Sequence, residues 1–177
     1  MKMINILEAY TWQTVFLQID LKDAILSIKD GAAASIDVKI GEGNFTYTER
    51  RTIEYTLDRG LLDEVREGDE VPVDISLDFV WEFITGGAVS GAQPSVEDAL
   101  KRIGAAAAWV STDTDSCRPY AVDLLITHTP GCTGSSTPTE TITISDFRYE
   151  QLAHDLRAGT VSVTGRANVT QATVVRS

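Results

Sequence analysis

The stretch Val-Asp-Ile-Ser-Leu-Asp-Phe-Val-Trp-Glu-Phe, residues 73–83, constrains the fold more than any other. Val73, Ile75, Leu77, Phe79, Trp81 and Phe83 are apolar. Asp74, Ser76, Asp78 and Glu82 lie between them, and only Val80 breaks the alternation. A strand sends successive side chains to opposite faces, so this period of two predicts one core face and one acidic, wetted face. At ~3.3 Å per residue, Asp74 and Asp78 stand about 13 Å apart. That exceeds the ~8 Å Debye length at physiological salt, so one strand alone makes a weak field. Such a face gains electrostatic weight only where copies stand side by side. The plain alternative is the solvated face of a sandwich.

The rest of the chain supplies further strands. Residues 24–28 and 35–40 predict two short ones around a turn at Asp30-Gly31. Residues 44–57 predict one long strand. Phe45, Tyr47, Ile53, Tyr55 and Leu57 share one face, interrupted by Glu49 and Arg51, and Thr46, Thr48, Arg50, Thr52, Glu54 and Thr56 make the other. It matches residues 73–84 in length, and the two are expected to pair antiparallel. Both exceed the usual five or six residues, which suggests a sheet running past the body of the domain. Their connector, residues 58–70, is dense in charge and reads as a long loop. It is either solvated or a reaching loop that buries Leu61, Leu62 and Val65, with Arg66 beside them, in another subunit.

Ser95 predicts a helix N-cap, with Asp98 three residues on completing a capping box. Val96, Ala99, Leu100 and Ile103 make the helix's apolar stripe, and Gly104 can close it in the left-handed conformation. Residues 105–110 are too apolar to expect in water, and Trp109 is expected to pack. Strands follow at 120–128, 139–145 and 160–169; in residues 147–157 Tyr149, Leu152, Ala153 and Leu156 fit a helix, but the alternation of Phe147 and Tyr149 favours a strand that turns at Ala158-Gly159. Eight or nine strands with connections suited to antiparallel pairing, and one helix, define a mainly β chain. Residues 1–22 form an N-terminal arm: Val15, Leu17, Ile19 and Leu21 alternate like a strand. Tyr10, Trp12 and Phe16 make it apolar enough to dock, in cis or on a neighbour.

Composition excludes several functions. With 177 residues there is enough chain for one domain with a real core. Net charge is −11, which opposes a surface that grips nucleic acid. It does not oppose a protein that handles DNA by not sticking to it. No signal-peptide core is evident at the N-terminus, and the longest apolar run, residues 103–110, is too short to span a bilayer. A cytoplasmic chain is therefore expected, with Cys117 and Cys132 as reduced thiols. No ligand set for a metal is present, and Asp113 and Asp115 lack the rest of a calcium loop. Gly41-Glu42-Gly43 lacks the third glycine and the helix of a dinucleotide loop. His128 and His154 are expected to be structural, and no catalytic constellation and no cofactor site is found. Besides a structural role, two classes stay open. One is a monomeric binding module for carbohydrate or protein using Tyr10, Trp12 or Trp109; the other is an enzyme.

A pattern over the whole domain points further. It runs through Val38-Lys-Ile-Gly-Glu-Gly-Asn-Phe-Thr-Tyr-Thr-Glu-Arg-Arg, Glu54-Tyr-Thr-Leu-Asp-Arg-Gly and Arg66-Glu-Gly-Asp-Glu-Val-Pro. It continues in Leu77-Asp-Phe-Val-Trp-Glu-Phe, Ser95-Val-Glu-Asp-Ala-Leu-Lys, Arg118-Pro-Tyr-Ala-Val-Asp, and Asp146-Phe-Arg-Tyr-Glu through Asn168-Val-Thr. Over about residues 24–175 this resembles the tail tube protein of long-tailed bacteriophages. The resemblance implies an antiparallel β-sandwich or barrel over residues 23–177, with a flanking helix and a long hairpin that joins an inter-subunit barrel. It implies stacked hexameric rings forming a hollow tube through which DNA passes without specific binding. The implied partners are the chain itself and the tape-measure, tail-tip and tail-terminator proteins, with no membrane and no cofactor. The implied location is the virion, assembled in the host cytoplasm. Thr48, Arg50, Thr52, Glu54, Asp74, Ser76, Asp78 and Glu82 are then expected to face the lumen, where ring symmetry turns single charges into rings that repel DNA.

Overall fold

The computed structural model describes residues 24–41, 43–81, 94–128 and 139–176. The arm at residues 1–22, Glu82, Phe83, most of the 86–94 loop and residues 129–138 with Cys132 lie outside them. The described chain is mainly antiparallel β. Its elements are β1 (Ala24–Lys29), β2 (Ser35–Val38), β3 (Phe45–Thr48), β4 (Ile53–Asp58), β5 (Leu61–Glu67), β6 (Val73–Val80), α1 (Val96–Lys101), β7 (Val122–His128), β8 (Glu140–Asp155), β9 (Thr160–Ala167) and β10 (Thr173–Arg176), with a 3₁₀ turn at Gly104–Ala106.

Eight strands make one sheet in the order β2-β1-β7-β8-β9-β6-β3, with β10 on β8. The sheet curls. Its two outermost strands, β2 and β3, are consecutive in sequence, and the Val80 N–H donates across the gap to the Lys39 carbonyl at 2.9 Å. Gly43 sits at this junction, where a Cβ would lie 2.2 Å from the Asp78 carbonyl oxygen. The inner face is the core. β6 alternates as its sequence predicts: Val73, Ile75, Leu77 and Phe79 are buried, and Asp74, Ser76 and Asp78 are half-buried on the other side. They meet Leu26 and Ile28 of β1, Leu124 of β7, Ile144 and Phe147 of β8, and Val161 and Val163 of β9 in one cluster.

α1 closes this core. Ser95 caps it as expected: its hydroxyl accepts from the Asp98 N–H at 3.0 Å, and the Asp98 carboxylate accepts from the Ser95 N–H at 3.2 Å. Two details differ from expectation. The left-handed residue at the C-terminus is Arg102, φ 55°, although Gly104 is also left-handed at φ 53°. Ile103 is 47% exposed, because the helix ends before its stripe completes a second turn. Trp109 packs at 6% exposure, but Ala105, Ala107, Ala108 and Val110 are exposed, because the tight 3₁₀ turn buries only Ala106.

Two loops are tied to the body by polar groups. The Asp30 carboxylate accepts from the Ala32, Ala34 and Val110 N–H groups at 2.9, 2.7 and 3.1 Å. Burial alone would raise its pKa, but these donors bring it below the ordinary value. A lowered carboxylate pKa adds stability above the unfolded value near 4, and that stability is lost as pH falls through the folded value. Asp30→Ala is expected to cost about 1–3 kcal/mol near neutrality, and less in acid, read from urea midpoints at the two pH values. The Tyr120 hydroxyl donates to the Ala99 carbonyl at 3.1 Å, anchoring α1. Burial pushes this phenol up to about 12, with Asp30 adding to the rise. Folding favours its neutral form, so this contribution holds below pH ~10 and is lost as pH rises toward 12. In an alkaline absorbance titration, Tyr120→Phe is expected to remove the step near pH 12.

The expected single strand at residues 44–57 is two strands. β3 pairs antiparallel with β6, as predicted, but the chain leaves that ladder at residues 49–52. Three successive charged side chains turn to separate partners there: Glu49 accepts from the Ala172 N–H, Arg50 pairs with Asp74, and Arg51 pairs with Glu67. The expected loop at residues 58–70 is also corrected. β5 pairs with β4 as a two-stranded hairpin, turning through Arg59 and Gly60 at φ 52° and 84°, the left-handed pair that tight hairpin turns require. The strands expected at 139–145 and 147–157 are one continuous β8, bulged between Tyr149 and Gln151. β10 was not anticipated. The two histidines are structural in placement: His128 is buried in β7, and His154 reaches Glu97 of α1 at 3.3 Å with its ring against Trp81.

Candidate functional site

Four strand segments, β3, β6, β9 and the second half of β8, form a wall whose outer face is polar. Cross-strand partners share a face, so Thr46, Ser76, Thr164 and Gln151 make one row across it, and Thr48, Asp74, Arg166 and Arg148, the last bound to Asp113, make the next. Thr48, Asp74, Ser76 and Asp78, expected from sequence to share a surface, therefore do. Gly165 of β9 turns to the other side. A Cβ there would lie 2.1 Å from the Arg148 carbonyl oxygen and 2.8 Å from the Phe147 ring, so only glycine lets β9 follow the bulge of β8.

The electrostatics of this face are more balanced than its acidic residues suggest. Arg50 reaches the Asp74 carboxylate at 3.1 Å, and Arg166 reaches it at 3.0 Å. Arg166 also lies 3.6 Å from Glu150. The Asp74 row is thus close to neutral. Asp78 accepts from the Ser162 hydroxyl at 2.5 Å, and among the described residues it has no cationic partner. These arginines sit in alternating positions that the sequence offered, but only the register of β9 on β6 brings Arg166 to Asp74.

Both outer edges of the wall are open among the described strands. β3 pairs only with β6. β7 accompanies β8 no further than Phe147, so residues 149–155 pair with β9 on one side and with no strand on the other. An open edge is a row of unpaired backbone donors and acceptors, and proteins cover such rows.

The β4–β5 hairpin lies between β3 and β6 in the chain and forms a separate two-stranded sheet. Thr52 precedes it, its carbonyl accepting from the Gly68 N–H at 2.9 Å, and the hairpin holds Glu54 as well as the residues expected in a reaching loop. Ile53, Tyr55, Leu57, Leu62 and Val65 share one face, because the bulge at Asp63 restores the register, and Glu67, paired with Arg51, stands opposite Ile53 at its end. The five apolar residues are 46, 60, 62, 67 and 58% exposed. The opposite face carries Thr56, Glu64, and Glu54 bonded to Arg66 at 3.0 Å, with Leu61 near the turn. Arg66 thus stays on the wet face rather than joining Val65. A two-stranded hairpin is marginal in water by itself, and an exposed, largely apolar face of this kind is a common mark of a contact surface.

No group of three or more potential metal ligands occurs among the described residues. Asp113, which sequence could suggest as the start of a cation loop, is bound instead by Arg148 at 2.6 Å and Arg118 at 3.4 Å. Cys117 is exposed. Among the described residues no helix is long and apolar enough to cross a membrane.

No protein-family model matches the chain, and no curated protein matches it by sequence. One solved structure shares its fold. The chain is similar to the anti-feeding prophage cap, described as the AFP tube terminating cap, with 12% identity and a TM-score of 0.56, covering 97% of this chain and 100% of that one. Looser matches are the sheath/tube terminator of an extracellular contractile injection system, PVC, and the anti-feeding prophage baseplate. They show 14% and 11% identity, each with a TM-score of 0.47 over 92% of this chain and 99% and 97% of theirs. At these identities the first match is a likeness of fold, and the other two add nothing to it.

Proposed function

We propose that this chain is a structural ring subunit of a phage-tail-like tube. The observation that carries the proposal is the polar-faced wall with an open edge on each side, beside a separate hairpin that exposes a largely apolar face. Two unlike edges on one subunit make a head-to-tail contact, and such contacts close into rings when the rotation per subunit closes. Closure would leave no strand edge exposed. The sequence resemblance to phage tail tube proteins supports this reading, and so does the full-length fold likeness to a tube-terminating cap.

In this reading the ring is a hexamer, the polar face lines the lumen, and the tube is a conduit for DNA. Thr48, Ser76, Asp78 and the Asp74–Arg166 pair would then line the channel, with Thr52 and Glu54 on the hairpin extending it. Asp78 would supply a ring of unpaired carboxylates, and the Asp74 row would be a nearly neutral band. The hairpin would pack its apolar face on a neighbouring copy. The arm at residues 1–22 and the domain at residues 23–177 would be separate parts of each subunit. Tape-measure, tail-tip and terminator proteins are the partners, and the particle is a phage tail or a device built like one.

The likeness to a terminating cap favours a second form of the same idea, in which the chain makes one ring that ends a tube. Negative-stain electron microscopy of the purified chain over a concentration series tests both. Rings with a central hole are expected; stacked tubes select the tube-forming role and single rings the terminating one. Compact monomers at every concentration, with a tail-tip complex added as nucleus, would sink the proposal.

A further inference from the structure

The opposite half of the sheet carries a second surface, unlike the wall. On the outer face of β1, β7, β8 and β10, Ile25, Thr127, Thr141 and Val175 form one row across four strands. Ser27, Leu125, Thr143 and Thr173 form the next. Ile25 and Val175 are each 55% exposed. None of these eight is charged, whereas an ordinary protein surface is about 25–35% charged and would place roughly two charges among them; Asp37 of β2, which accepts from the Ser27 hydroxyl, marks the border on that side. The next row, Lys29 opposite Asp123, restores charge and bounds the patch. α1 and the 3₁₀ turn pack on the core side of the sheet, so they do not cover it.

We propose that residues 1–23 of this same chain lie across this face. The chain enters the sheet at Ala24, so the segment arrives beside Ile25, at the border of the patch. Four strands at ~4.8 Å spacing are about 15–20 Å wide. Twenty-three residues reach several times that distance when extended at ~3.3 Å each. The segment's composition suits the surface. Trp12, Val15, Leu17, Ile19 and Leu21 would otherwise be in water, and an uncharged, β-branched face can bury them without leaving a charge unpaired. This contact is independent of the wall and of the tube reading, and would hold in an isolated subunit.

Trp12 is the reporter. Its fluorescence is isolated by subtracting the spectrum of the Trp12→Phe chain from that of the unaltered chain. The expected emission is blue-shifted, as for an indole in apolar contact. Thr143→Lys, which puts a charge in the patch, is expected to move the emission to that of a water-exposed indole. Ser76→Lys on the polar wall should leave it in place, and thermal melts of both variants confirm that each is folded. A solvent-like emission in the unaltered chain overturns the proposal, as does an emission indifferent to Thr143→Lys. A blue shift that fades on dilution would place a second copy's arm on the face and overturn the intrachain contact.

Discussion

Phe147→Ala lowers the unfolding free energy by about 3–5 kcal/mol, the range for truncating a buried phenylalanine. That is a large part of the ~5–15 kcal/mol that holds a typical domain. The ring is 1% exposed, between Val122 of β7 and Ala167 of β9, and it fills the space left by the missing side chain of Gly165. The cavity would open at the bulge, where three strands meet and little can collapse into it. Urea unfolding is the measurement, with an unchanged m-value expected. Gly165→Ala is a second reading of the same spot. Its Cβ strikes the Arg148 carbonyl oxygen as well as the ring, so it is expected to stay destabilising by about 1–3 kcal/mol in the Phe147→Ala background. Rescue of Gly165→Ala by Phe147→Ala would show that the ring, not the backbone, is the obstacle.

Replacing Tyr55, Leu57, Leu62 and Val65 together by serine is expected to abolish the proposed ring or tube formation while leaving the monomer's thermal midpoint within a few degrees. The two effects separate because these side chains are exposed and belong to no core cluster. Surface changes away from buried features usually stay within about ±0.5 kcal/mol each. Electron microscopy and a melting curve of the same preparation check both halves. Rings formed by this variant would remove the hairpin's apolar face from the assembly contact; a large fall in melting temperature would show that the hairpin packs on its own subunit.

The parts of the fold legible in sequence were those where burial writes a pattern. β6 alternates because one face meets the core, and α1 announces itself by the reciprocal bonds of Ser95 and Asp98. β5 was illegible for the opposite reason. Both its faces are exposed in the single chain, the bulge at Asp63 breaks the period, and the string of acids reads as a loop. Its turn was visible in Asp58-Arg59-Gly60, but a turn between a strand and an apparent loop carries little weight. β10 is four exposed residues, too short to show a period. Of the wall, the shared face of Asp74, Ser76 and Asp78 could be read from one strand. The pairing of Asp74 with Arg50 and Arg166 could not, since it depends on where the chain leaves β3 and on the register of a strand some ninety residues away.

The strand order has a consequence during synthesis. β1 is paired on one side with β2 and on the other with β7. Roughly 90 residues separate the first strand from the second neighbour, on the order of 5–20 s of translation. Through that interval the β1–β2 hairpin has left the ribosome with Leu26, Ile28, Ile36 and Val38 facing a core that does not yet exist. Non-local pairing of this kind makes folding slow and keeps sticky edges exposed meanwhile. For a chain proposed to recognise its own copies by their edges, premature pairing between nascent chains is the competing reaction, and the delay before β7 emerges sets the time during which it can occur.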